Sequence, residues 1–244
     1  EDHFDRFKFI SNQSFPVLSG SVELSPLPWV SGRLAGALSV LEPTREISVS
    51  VGGTIADGES GRWAGRWEAK PHYSYWEAAG LYHLANGGGY RFSAVAGYRG
   101  KTWKYYGEDS TSSSDRNKFQ SYIPFLGLQT SMYFPLWKAR FELLGSPFMK
   151  TDVYSSLNSR RLNSGKFHLE SNRGGMIEFQ MEGSLSLSKS VLCGLSARLS
   201  YEELYGPLDW TSGEPGHRLV DQAAMDAHLI ELISFFGLNA TILF

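Results

Sequence analysis

The sequence predicts an all-β fold: one transmembrane, antiparallel, up-and-down β-barrel of about ten strands (range eight to twelve) that takes up residues 1–244 as a single domain. Three observations carry this. Hydrophobicity alternates with period two over long stretches, those stretches are longer than the strands of a soluble sandwich, and tight turns alternate with long polar connections.

The alternation is clearest from Met176 to Ser188. There Ile177, Phe179, Met181, Leu185 and Leu187 oppose Glu178, Gln180, Glu182, Ser184 and Ser186. After a Lys189-Ser190 turn it resumes, with Val191, Cys193, Leu195, Ala197, Leu199 and Tyr201 against Ser196, Arg198, Ser200 and Glu202. The same two-faced pattern appears at Tyr90–Tyr98, at 138–143 and at 30–40. A soluble sandwich would bury the apolar faces inward, whereas a membrane barrel turns them out to lipid. Strand length decides between them, because a tilted membrane-crossing strand needs roughly 9–11 residues and a sandwich strand about 5–6.

Nine long segments can be placed, near 5–26, 29–41, 60–86, 90–106, 118–134, 138–150, 174–188, 191–205 and 226–244. Bacterial barrels have even strand numbers, so a further strand is expected in Ile47 to Ala56 or from a split first segment. The connections at 85–89, 135–136 and 189–190 are tight, and those at 107–117, 150–174 and 206–225 are long and polar. Trp29, Tyr133 and Trp137 beside the tight turns, and Trp63, Trp67, Trp103, Tyr105 and Tyr205 toward the long connections, are expected to form two aromatic girdles.

Composition narrows the function classes. Net charge is −2, 42% of residues are hydrophobic and 20% charged, which excludes a strongly basic nucleic-acid binder and a disordered chain. Mean hydropathy is −0.24, and no window holds the roughly 18 apolar residues of a membrane helix. Hydropathy alone therefore reads as soluble; the alternation overrules it. The chain opens at Glu1 without Met, which suggests a removed secretory segment or a trimmed end. The single Cys193 allows no internal disulfide and reads as a small hydrophobe. No metal cluster and no nucleotide-binding motif is present, so no metal or cofactor is expected.

With apolar faces outward, the lumen receives Glu23, Arg33, Arg91, Arg99, Lys101, Arg140, Glu142, Glu178, Glu182, Arg198, Glu202 and Glu231. A barrel this narrow is filled by side chains, and these balanced charges are expected to pair as a crosslinked plug rather than line a channel. The C-terminal strand puts Phe236, Leu238, Ala240, Ile242 and the terminal Phe244 on one face. That pattern resembles the signal read by the outer-membrane barrel assembly machinery. It implies the outer membrane of a Gram-negative bacterium.

Several stretches resemble the omptins, ten-stranded outer-membrane endopeptidases. They are Tyr90-Arg91-Phe92 through Ala96-Gly97-Tyr98, Pro124-Phe125-Leu126-Gly127-Leu128, Phe141-Glu142-Leu143 and the hairpin at 176–205, and the spacing fits from about residue 15 onward. The resemblance implies a water activated between an Asp pair on one wall and a His-Asp couple on the opposite wall. In this chain the first pair falls near Ser50 and Gly52 and the couple near Ser155 and Leu157, none of which can abstract a proton from water. Asp57 and Asp152 are close enough in sequence to be misaligned partners, but no His accompanies either.

A non-proteolytic barrel is the first reading, with long connections that bind an anionic surface partner or lipopolysaccharide. Lys150, Arg160, Arg161, Lys166 and Arg173 make 150–174 basic. In the omptin lipopolysaccharide pattern Tyr98 matches, and Gly100 and Thr102 replace an acid and a base; Lys101 and Lys104 are the candidates for lipid phosphates. A divergent endopeptidase is the alternative, with Asp57, Asp152, His168, Asp226 and His228 as its candidate catalytic residues and Asp209 as a further acid. His168 with Ser171 has the residue types, though not the His-x-Ser spacing, of lipid A deacylase barrels. A narrow channel is the third reading. The expected partners are membrane lipid, lipopolysaccharide and, through Phe244, the assembly machinery; the protein is expected to be a monomer that binds no nucleic acid.

Overall fold

Twelve strand segments form one sheet, and the sheet closes on itself. They are β1 (Arg6–Leu27), β2 (Val30–Ser39), β3 (Arg45–Thr54), β4 (Ser60–Gly87), β5 (Tyr90–Gly107), β6 (Arg116–Tyr133), β7 (Trp137–Ser146), β8 (Lys150–Ser159), β9 (Leu162–Ser171), β10 (Arg173–Ser186), β11 (Val191–Ser212) and β12 (Met225–Leu243). This computed structural model describes all residues except 1–5, 41–44, 55–59, 108–115, 160–161, 172, 213–224 and 244. Side chains are described for 16–40, 72–104, 118–151, 173–206 and 230–243.

Several segments are pieces of one strand. β2 pairs with Val17–Leu27 of β1 and β3 with Phe7–Ile10, and both lie along β4. In the same way β8 continues β7 along β6, and β9 continues β10 along β11. The ring therefore has nine strands, in the order β10, β7, β6, β5, β4, β2, β1, β12, β11 and back to β10. The expected even number is not met. Ile47 to Thr54 does form a strand, but it prolongs β2 instead of adding to the ring. Parity explains the closure: when neighbours alternate in direction around an odd ring, the first and last strands run the same way. β1 and β12 accordingly pair in parallel, from Arg6↔Asp226 to Glu23↔Leu243.

The alternation places side chains as expected. Leu34, Leu126, Leu143, Ile177, Leu195 and Leu238 are exposed on the outside, while Arg33, Glu142, Glu178 and Arg198 are buried inside. Along β6 the outward apolar run extends from Met132 to Tyr122. Ten residues at ~3.3 Å, tilted by about 40°, rise about 25 Å, the height of a lipid-facing barrel band.

The turns at the near end are short. Gly88 and Gly89 have φ of 61° and 81°, a left-handed pair that closes the β4–β5 hairpin in two residues with the twist the strands need. At the next hairpin the Phe134 N–H donates to the Trp137 carbonyl at 2.9 Å. Trp29 and Trp137 are exposed at this rim, as a girdle requires. The Tyr133 ring, expected in the girdle, instead shares the inward parity of Gln129 and Ser131 and lies against Arg91 and Lys138, at 5.5 and 5.1 Å.

At the far end the strands outgrow the bilayer. Most of 150–174, expected as a loop, is the β8–β9 hairpin, paired from Thr151↔Ser171 to Ser159↔Leu162. β11 likewise runs on to Ser212, into the expected 206–225 loop. Backbone ladders can extend into water without an apolar outer face, so no hydrophobic alternation announces them.

Candidate functional site

Two regions carry the chemistry: the packed lumen and the outer face near the far rim. In the lumen, Arg33 donates from Nη2 to Glu77 at 2.8 Å and to Glu142 at 2.7 Å, and from Nη1 to Gln129 at 2.9 Å. Arg99 holds the other oxygen of Glu77 at 2.6 Å and both oxygens of Glu178 at 2.6 and 2.9 Å. Arg198 reaches the Tyr75 hydroxyl at 2.7 Å and lies over its ring at 4.3 Å. Nearer the tight turns, Glu182 pairs with Arg140, and Glu23 lies 3.7 Å from Arg91 and 3.9 Å from Lys138. Toward the far end Lys101 sits between Glu202 and Glu231, 3.2 Å from the latter.

Cations and carboxylates in this network are equal in number among the described residues, and nearly all are buried. Neutral pairing is what makes a charged interior tolerable, since an unpaired buried ion costs several kcal/mol. Above the charges lies an apolar layer. Tyr73, Trp103 and Phe235 turn inward, with ring centroids 4.3 Å apart for Tyr73–Trp103 and 4.6 Å for Tyr73–Phe235. Trp103 is 1% exposed, so it fills the lumen and is not part of a girdle. Charge layer and aromatic layer together form the plug.

Sequence reasoning missed Glu77 and Lys138, which complete the network. His83 is a further buried polar residue that sequence reasoning did not single out. That ring bridges Ser31 and Ser93 at 2.8 Å each, and Ser31 meets Ser25 at 2.8 Å, which ties β1, β2, β4 and β5 together near the tight turns.

On the outer face, Tyr98 is 42% exposed and packs beside Trp76 and Tyr122, with centroids at 6.0 and 6.4 Å. The Trp76 indole covers Gly100, where any Cβ would collide with it, so the glycine is the seat of the aromatic group. Four residues beyond the level of Trp76, Gly100 and Tyr122, the ladders put His72 of β4 opposite Lys104 of β5 and Lys104 opposite Lys118 of β6. All three share the outward parity of Trp76, Tyr98 and Leu126. At ~3.3 Å per residue this basic row stands about 13 Å beyond the aromatic group along the strands.

Lys101, the other lipid-phosphate candidate, does not belong to this face. It lies three residues past Tyr98, so period two turns it into the lumen, where Glu202 and Glu231 hold it.

Of the candidate catalytic residues, Asp57 lies outside the described residues. The other four are described in backbone only. Asp152 stands opposite Gln120 and Glu170, His168 opposite Tyr154 and Asp209, Asp226 opposite Arg6 and Pro207, and His228 opposite Lys8 and Tyr205. Ser50 and Gly52 fall on β3, and Ser155 and Leu157 on β8. Between these walls lie β4, β5 and β6 one way and β1, β12, β11 and β9 with β10 the other, so the two walls face each other across the barrel. The lone Cys193 is a free thiol on β11.

No protein-family model and no curated protein matches the chain. Among solved structures, the crystal structure of the outer membrane protease OmpT from Escherichia coli is similar, with a TM-score of 0.54 at 12% sequence identity over 76% of this chain and 73% of that one. The likeness is one of fold: an all-β transmembrane barrel.

Proposed function

We propose that the protein is an integral outer-membrane barrel of a Gram-negative bacterium, omptin-like in fold and without omptin protease chemistry, whose outer face binds lipopolysaccharide. The observation that carries the lipid reading is the row His72–Lys104–Lys118 above the Trp76–Tyr98–Tyr122 group. Phosphorylated headgroups of an outer leaflet meet cations at that height, and aromatic rings sit at the boundary of headgroup and acyl chain. The non-proteolytic reading rests on Ser50, Gly52, Ser155 and Leu157, which occupy facing walls but offer no base. In this reading the barrel works as a monomer.

One observation favours a second reading, a divergent endopeptidase: the β9–β11 ladder sets His168 opposite Asp209. A channel fits poorly with a lumen filled by paired charges and a layer of rings.

The lipid reading is tested with the refolded barrel and purified lipopolysaccharide. Each of Lys104→Ala and Lys118→Ala is expected to weaken binding by roughly fivefold, the effect of about 1 kcal/mol per surface cation. The double variant loses more, and Lys189→Ala in the opposite turn changes nothing. Equal binding by the double variant and the parent would sink this assignment.

A further inference from the structure

Charges balance over the lumen as a whole but not at its far end. Glu202 of β11 and Glu231 of β12 stand directly opposite each other, and both are buried. Opposite positions on neighbouring strands bring Cβ atoms to about 5 Å, so two ionised carboxylates there repel. The row that runs through them along the wall reads Ser11, Glu231, Glu202, Met176 and Ser146, with no cation beside either acid. Lys101 reaches them from β5 on the facing wall, and among the described residues it is the one cation in contact with either. Its single charge is divided between two carboxylates. Glu202 also accepts the Ser200 hydroxyl at 3.2 Å, whereas Oε1 of Glu231 is buried with no partner.

The neighbouring charged groups are committed elsewhere. Arg99 of β5 holds Glu77 and Glu178, Arg198 of β11 lies against the same Glu178, and Tyr73 of β4 packs on Trp103 and Phe235. The cation that evens the total sits near the tight turns, where Arg91, Lys138 and Arg140 meet Glu23 and Glu182. Along β11, Glu202 lies six residues from Ser196, the partner of Glu182. That is about 20 Å at the usual rise of a strand, too far to replace a direct counter-ion. The cluster also stands at the outer limit of the apolar band. Lys101 is opposite Ser121, past the Tyr122 that ends the outward run of β6, and Glu202 lies between the outward Tyr201 and Glu203.

We propose that Glu202 and Glu231 bind one proton between them, which makes the far end of the plug a pH-sensitive lock. With the proton in place one carboxylate faces one ammonium, and the unmet oxygen of Glu231 joins a carboxyl–carboxylate hydrogen bond. Lys101 then ties β5 to β11 and β12 across the lumen. Loss of the proton leaves two buried anions on one cation and loosens that tie. A water molecule on the Glu231 oxygen, with both acids ionised, is the rival arrangement.

The test uses the refolded barrel in detergent. Its infrared spectrum at neutral pH is expected to show a protonated-carboxyl stretch that shifts in D₂O and is absent from Glu231→Gln and Glu202→Gln. Stability supplies a second readout. An unfolded glutamate gives up its proton above about pH 5. Each further pH unit over which the folded pair keeps its proton raises the unfolded-to-folded ratio of the parent about tenfold relative to Glu231→Gln. The two curves become parallel once the folded pair has released it. A parent without the protonated-carboxyl band overturns the proposal, and so does a band that survives both variants or a pair of stability curves that run parallel from pH 5 upward. The first of these needs only the parent, so it decides even if neither variant folds.

Discussion

Replacing Arg99 by Met is expected to destabilise the barrel by about 3–5 kcal/mol, the cost of removing one partner from a buried ionic network. Arg99 is the bridge between Glu77 and Glu178, with contacts of 2.6 Å to each. Without it Glu77 keeps Arg33, but Glu178 keeps only Arg198 at 3.4 Å. Most of the penalty therefore falls on Glu178. Adding Glu178→Gln to Arg99→Met should recover part of the loss, whereas Glu178→Gln alone leaves Arg99 with one carboxylate and destabilises. Urea unfolding followed by tryptophan fluorescence in detergent gives the double-mutant cycle. Strictly additive effects would mean that the two residues do not act as a pair.

A second large effect is expected where β1 and β12 close the ring. A Cβ on Gly237 would run into the Val17 carbonyl across the parallel pair. Backbone cannot swing aside as a side chain can, so Gly237→Ala must separate the two strands at the seam. Parallel pairing is the less stable kind per residue, and this seam is the barrel's one parallel junction among the described strands. The expected cost is about 1–3 kcal/mol, the usual range for forced overpacking, together with loss of the compact, heat-modifiable band on a gel. Gly183→Ala is the matched control, because nothing lies within 4 Å of a Cβ there. It should stay within about 0.5 kcal/mol of the parent. Equal behaviour of the two variants would place the seam elsewhere.

Much of this was legible in the residues because a barrel strand states both its faces. From Met176 to Glu202 the alternation places Glu178, Glu182, Arg198 and Glu202 inside, and the structure buries all four. Glu77 escaped because β4 carries rings on both faces there: Tyr73 and Tyr75 inside, His72 and Trp76 outside. Aromatic residues on both sides cancel a period-two signal. Trp103 was open to misreading by residue type, since a tryptophan suits a girdle, and Lys101 was read both as a lumen charge and as a lipid-phosphate group, of which the lumen reading holds. Counting by twos from Tyr98 sends both inward. The β8–β9 hairpin was hidden for another reason, as strands beyond the bilayer no longer need an apolar outer face. Strand number followed from a rule about even barrels, whereas the nine segments that could be counted match the nine strands of the ring.

The candidate site was less legible than the fold. His72, Lys104 and Lys118 are 14 to 46 residues apart in sequence and become a row only through the β4–β5 and β5–β6 registers. Single residues of common type carry no signal until register aligns them.

The central claim, an omptin-like barrel without omptin chemistry, is tested most directly by offering a mixed peptide library to the refolded protein with lipopolysaccharide present. Heat-modifiable migration must first show that the barrel has formed. The predicted result is no cleavage by a folded, lipid-bound barrel. Cleavage that disappears in Asp57→Asn, Asp152→Asn or His168→Ala would contradict it and make the far end of the barrel a protease site.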